Sequence, residues 1–165
     1  MLYLKKLSPT DGFEIYEMLQ EIDGNDNGFH NKVCGMSFEQ FNDWIKKEFS
    51  VDSGELEDWM VPQTSYWLYD DNKPVGYGRI RHYLNDKLAE TSGHIGYAIR
   101  RTERNKGYGN KILSLLLEEC KKLGIEKVQI GANTDNIASN KIILKHGGEL
   151  IRTSNNKNFY HIYNR

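Results

Sequence analysis

Apolar and polar residues alternate over Leu2–Leu7, predicting a short strand, after which the apolar period lengthens to that of a helix. Ser8 followed by Pro9 offers a cap and a permitted first-turn proline, so a helix is expected to about Ile22. Phe13, Ile15, Tyr16, Met18, Leu19 and Ile22 would share its buried face. The glycine- and asparagine-rich stretch DGNDNGFHNKVCG reads as a loop, suited to form a substrate lip. Ser37 with Gln40 is a capping-box pair, and Phe38, Phe41, Trp44, Ile45 and Phe49 give the next helix its stripe. Those aromatics suit packing on a sheet, or the wall of an acceptor pocket. VDSGELEDWMVPQ reads as irregular; its acidic run, Glu55, Glu57 and Asp58, suits a solvated surface or an attraction for a cationic amine.

Thr64–Tyr69 and Val75–Leu84 read as strands around the turn DDNKP, forming an antiparallel hairpin, and the loop NDKLAE leads to a third strand, Thr91–Arg100. A long amphipathic helix follows, with Ile112, Leu113, Leu116, Cys120 and Leu123 on its apolar stripe and Lys121, Lys122 and Gly124 at its end. Lys127–Gly131 is the next strand, Asn136 to about His146 another helix stopped by Gly147 and Gly148, and GELIRT and NFYHIYN close the chain as strands. A strand, a helix and a further strand imply a crossover, so Thr91–Arg100 and Lys127–Gly131 are expected to be parallel neighbours in an α/β fold.

Between the third strand and the long helix lie Arg104, Asn105, Lys106, Gly107, Tyr108 and Gly109. The first amides of a helix have no partner within it, its dipole leaves positive charge there, and glycine admits close approach of a ligand. A pyrophosphate would suit such a site. This loop, directly after the strand GYAIR, resembles the pyrophosphate loop of the GNAT superfamily of acyl-CoA-dependent N-acyltransferases, and the resemblance spans roughly residues 64 to 150. The segments RHYLN and GHIGY are also similar to a bacterial subgroup of predicted acetyltransferases.

The resemblance implies a GNAT fold: a mixed central sheet with an antiparallel N-terminal meander, splayed parallel central strands and flanking helices. It implies acetyl-CoA as co-substrate, its pyrophosphate on the amides of residues 104 to 109 and its pantetheine arm along the edge of Tyr97, Ala98 and Ile99. Asn136, and Ser139 one turn on, match positions that contact the arm; helix capping and surface polarity are their alternatives. Arg104 has two candidate roles, phosphate contact or pairing with Glu103. Arg100 and Arg101 would extend the positive field. The general acid is usually a tyrosine, and the matching position here is Ile143. His94 is the candidate general base, by its pKa and its place on the central strand, although strict alternation turns it to the other face unless a bulge at Gly93 or Gly96 intervenes. Glu90, His82 and His161 are weaker candidates. A strand N–H near Ile99 would stabilise the oxyanion.

With 165 residues the chain fits one domain, residues 1–165. Its 22 basic and 23 acidic side chains give no pull toward nucleic acid or an anionic membrane. No apolar run is long enough to span a bilayer and the start lacks a signal-peptide core, so a cytoplasmic location is expected. Five histidines without ligand spacing predict no metal. Cys34 and Cys120 form no disulfide framework; Cys120 reads as core, and Cys34 offers a thiol for a ping-pong route. The reading is direct acetyl transfer in a ternary complex to the primary amine of a small molecule or peptide, by a monomer or homodimer. Its rivals are a non-catalytic CoA-binding or regulatory module and a nucleotide binder, the latter without the spacing of a Walker site.

Overall fold

The computed structural model describes residues 1–52 and 56–164; Glu55, one end of the acidic run, lies outside them. β1 (Leu2–Lys6), β4 (Gln63–Asp70), β5 (Lys73–Arg81) and β6 (Ile95–Ile99) form one antiparallel sheet in the order β1-β4-β5-β6. β7 (Lys127–Asn133), β9 (Lys157–Tyr163) and β8 (Glu149–Ser154) form a second, in that order. The helices are α1 (Phe13–Gln20), α2 (Phe38–Asp52), α3 (Asp86–Thr91), α4 (Tyr108–Lys122) and α5 (Ile137–Lys145). No described helix is long and apolar enough to cross a membrane.

Alternation along β4 and β5 divides the core between two faces of the first sheet. Tyr66, Leu68 and Ile80 turn toward α4 and α5, joining Ile112, Leu113, Leu116, Cys120 and Ile143. Trp67, Tyr69 and Tyr77 turn the other way, joining Ile15, Met18 and Leu19 of α1 and Phe41 and Ile45 of α2. The aromatics of α2 thus include core, and Cys120 is buried in an apolar site that pushes its thiol up to about 12.

The structure corrects four local expectations. Ser8 does not cap α1: the Asp11 carboxylate takes the Ser8 N–H at 2.7 Å and the Trp67 indole at 2.8 Å, and this turn delays the helix to Phe13. The loop from Asp23 contains a small hairpin, β2 (Asn25–Asp26) and β3 (Phe29–His30), reversing through Asn27 and Gly28 at positive φ. NDKLAE is not a loop, because the Asn85 carboxamide accepts the Leu88 N–H at 2.9 Å and starts α3, which shortens the following strand to Ile95–Ile99. β6 and β7 are neighbours without forming a continuous ladder. His94 N–H donates to the Gln129 carbonyl at 2.7 Å, and beyond that junction the two sheets part. Their backbones are so close at the junction that a Cβ on Gly93 would lie 2.5 Å from the Gln129 oxygen. The Ser37–Gln40 capping box forms as expected, with bonds of 2.9 and 3.1 Å.

Candidate active site

The gap where β6 and β7 part opens into a cleft of about 700 Å³, bordered by the loop before α4, the start of α5, β5 and the β2–β3 hairpin. At one end the chain leaves β6 through a short 3-10 turn, Arg101–Glu103, and enters α4 through Asn105 at φ 64° and Gly107 at φ 83°. Gly107 is the N-cap, in a left-handed conformation that strains any residue with a Cβ, and nothing lies within 4 Å of where that Cβ would stand. Gly107, Tyr108, Gly109 and Asn110 line the cleft, and the first amides of a helix have no partner within it, the arrangement an anion requires.

The loop's charged side chains are engaged by protein. Lys106 and Lys73 both bind Glu103, which holds that carboxyl down at about 2. Arg104 pairs with Asp26 of the hairpin at 3.4 Å, not with Glu103, and its Nε donates to the Ile99 carbonyl at 3.1 Å. Arg100 pairs with Glu21 and Arg101 reaches Asp23 at 4.0 Å. What the loop leaves free for an anion is backbone.

β6 presents its other edge to the gap. Arg100 N–H donates to the Val75 carbonyl and Arg81 N–H to the His94 carbonyl, so strand alternation turns the amides of Ile95, Tyr97 and Ile99 away from β5 and toward β7. Ala98 is turned the opposite way: its backbone faces β5 opposite Tyr77, and its side chain is buried against the α1 and α2 core. The Asn136 carboxamide caps α5 by accepting the Ser139 N–H at 3.3 Å, and the Tyr97 hydroxyl lies 3.4 Å from Ser139 Oγ at the same helix start. Ile143 is fully buried among core residues.

His94 stands where the two sheets touch. Its Nδ1 accepts the Gln129 N–H at 2.9 Å, while the Gln129 side chain donates to the Ala89 and Ser92 carbonyls at 2.6 and 2.8 Å. Burial, then the charges of His161 and Arg81, push the imidazole down to about 4. The neutral ring carries its proton on Nε2, and its one basic lone pair is already occupied. This geometry speaks against His94 as the general base. His82, Glu90 and His161 do not border the cleft, nor does Cys34. The cleft's two carboxylates, Asp26 and Glu103, are both paired with cations.

The acetyltransferase (GNAT) family model matches residues 32–147, most of the chain. The chain belongs to this family. No curated protein sequence matches it. Among solved structures, RimL, a ribosomal L7/L12 alpha-N-protein acetyltransferase in complex with coenzyme A, superposes with a TM-score of 0.73 at 14% identity, covering 98% of this chain and 93% of that one. The microcin C7 self-immunity acetyltransferase MccE, in complex with acetyl-CoA and AMP, gives 0.71 at 17% identity, covering 98% and 92%. Campylobacter jejuni PseH, an N-acetyltransferase in complex with acetyl coenzyme A, gives 0.68 at 10% identity over the whole of both chains. At these identities the three share the GNAT fold with this chain.

Within the GNAT fold, the far end of the cleft holds what sequence reading passed over. Arg79 and Arg81, two apart on β5, face it together with His30 of the hairpin and Lys157 at the start of β9. The signal was the alternation itself: a strand buried nearly throughout ends in two cations on one face.

Proposed function

We propose that this GNAT enzyme transfers the acetyl group of acetyl-CoA directly to a primary amine, both substrates being bound together on one domain spanning residues 1–165. The observation that carries this reading is that one cleft runs from the free amides at the start of α4, past the open edge of β6, to the face beneath the β2–β3 hairpin. The residues present fit the donor: Gly107 leaves room over the loop, the amides of residues 105 to 109 suit a pyrophosphate, and the Tyr97 backbone and the Ile99 N–H lie on the open edge of β6, within reach of a pantetheine arm.

Acetyl-CoA supplies the activated acyl group as a thioester. The amine lone pair attacks the carbonyl carbon, a C–N bond forms, the C–S bond breaks, and the electron pair leaves on sulfur. The Tyr97 or Ile99 N–H stabilises the oxyanion, since a fixed donor aimed at developing charge needs no reorganisation. The Tyr97 phenol, kept protonated by burial, gives its proton to the departing sulfur and recovers one from the amine through Ser139 and water. With both cleft carboxylates paired and His94 occupied, the acceptor ammonium loses its proton to water before attack. His94 is a positioning residue, holding β6 to β7 where the gap begins.

Thiol release from acetyl-CoA in the presence of an amine panel tests the reading. Amine-dependent release with a 1:1 acetylated product is expected. Release that does not depend on any amine, or acetyl transfer first to Cys34, would contradict it.

A further inference from the structure

The acceptor end of the cleft is cationic beyond what the protein neutralises. Arg79 donates to the His30 carbonyl at 2.9 Å and lies over the rings of Phe29 and Tyr77, at 4.2 and 5.4 Å from their centroids. Arg81 donates to the Gly93 carbonyl at 2.9 Å, and Lys157 to the Thr91 carbonyl at 3.4 Å. Each contact uses one neutral carbonyl, while a guanidinium carries five N–H donors. Among the described residues no carboxylate lies within 4.0 Å of any of these three cations. The carboxylates bordering the cleft, Asp26 and Glu103, are committed at the other end. Burial, and then the Arg79 charge, push the Arg81 guanidinium down to about 10, which marks a cation held out of water without a counter-ion.

The positions are also fixed. Arg79 lies over the Phe29 ring, which packs edge-on to Tyr77, and is bonded to the hairpin carbonyl, and Arg81 is tied to the strand beside it. Gly28 at the hairpin tip approaches Lys157, its Cβ position lying 3.9 Å from Nζ, so the hairpin roofs this end and brings the three cations around one space. Planar, rigid guanidinium pairs in a walled cleft suit bidentate recognition of a carboxylate or phosphate.

We infer that the acceptor is an anionic amine, whose carboxylate or phosphate sits against Arg79 and Arg81 with Lys157 at the rim while its amino group faces the open edge of β6. This rests on the acetyl-transfer reading above. The anion supplies the missing counter-charge and orients the nucleophile, so specificity lies in the group remote from the reacting nitrogen.

The test uses pairs of amines that differ in the anion: phosphoethanolamine with ethanolamine, glucosamine 6-phosphate with glucosamine, and α-amino acids with their amides. Thiol release gives kcat/KM, and the melting temperature with saturating coenzyme A reports binding separately from turnover. In at least one pair the anionic member should be preferred about tenfold or more, and in Arg81→Gln and in Arg79→Gln that preference should collapse toward unity while acetyl-CoA affinity stays within about twofold. A response confined to the phosphate pairs identifies phosphate as the recognised group, and one confined to the amino acids identifies carboxylate. Equal handling of both members in every pair, by turnover and by melting shift, overturns the inference, as does a preference that survives both substitutions. Loss of acetyl-CoA binding in the wild-type protein would instead overturn the transfer reading, and the melting-shift pairs would still decide the anion site.

Discussion

His94 gives its Nδ1 lone pair to the Gln129 amide, and that single bond converts a candidate base into a strut between two sheets. The type and position of this histidine were legible in the sequence; its partner was not, because Gln129 lies 35 residues away on another strand. The folded ring titrates near 4 against an ordinary 6.5, so below pH 6.5 the unfolded chain takes up a proton that the folded chain refuses. Stability from this group is full above pH 6.5 and falls as the pH drops toward 4. His94→Asn, which keeps an acceptor for the Gln129 amide, should lose less melting temperature than the wild type between those pH values, and an identical pH dependence would contradict the assignment. Tyr97 belongs to the same scale. Tyr97→Phe should lower kcat about 100-fold or more with acetyl-CoA affinity within about twofold, as measured by steady-state kinetics beside calorimetry; unchanged kcat would remove the phenol as proton donor.

At the scale of elements, the legible parts were those with strong local signals: the Ser37–Gln40 box, the turn between β4 and β5, and the glycine entry to α4. What stayed hidden was tertiary in origin. The β2–β3 hairpin has two residues per strand, too short for alternation to register, and it is held by partners elsewhere: Asp26 by Arg104, His30 by Arg79, and Phe29 edge-on to Tyr77 at 4.9 Å. It therefore couples the loop before α4 at one end of the cleft to the cationic end. Asp26→Ala should raise the acceptor KM about fivefold, the size of a partly exposed ion pair, without raising the KM for acetyl-CoA, because the freed Arg104 adds positive charge beside the loop. The reverse pattern in steady-state kinetics would show that the pair serves the loop and not the hairpin.

Over the whole molecule, the two faces of the first sheet divide the labour. The α4 and α5 face carries the loop, Tyr97 and Ser139, and the α1 and α2 face carries the hairpin and the arginines; the gap that β6 and β7 leave joins the two, and it is where the proposed reaction has the substrates meet. The sequence order of strand, helix and strand announced that neighbourhood, but the parting of the sheets depends on contacts such as His94 with Gln129 that no local pattern encodes. With Asp26 and Glu103 paired with cations and the His94 lone pair occupied, the proposed loss of the acceptor's proton to water predicts that kcat/KM rises with pH along the titration of the acceptor amine and shows no inflection between pH 5 and 7. An inflection in that window, abolished by His94→Asn or by His30→Asn, the two histidines bordering the cleft, would restore a protein base.

The central claim is that the amides at the start of α4 hold the donor, and calorimetry with acetyl-CoA on the wild type and on Gly107→Glu tests it most directly. Left-handed strain and a carboxylate placed over the amides should together weaken binding by about 100-fold or more. Equal affinity in the two proteins, with the variant folded by its melting transition, would place the donor elsewhere and contradict the account.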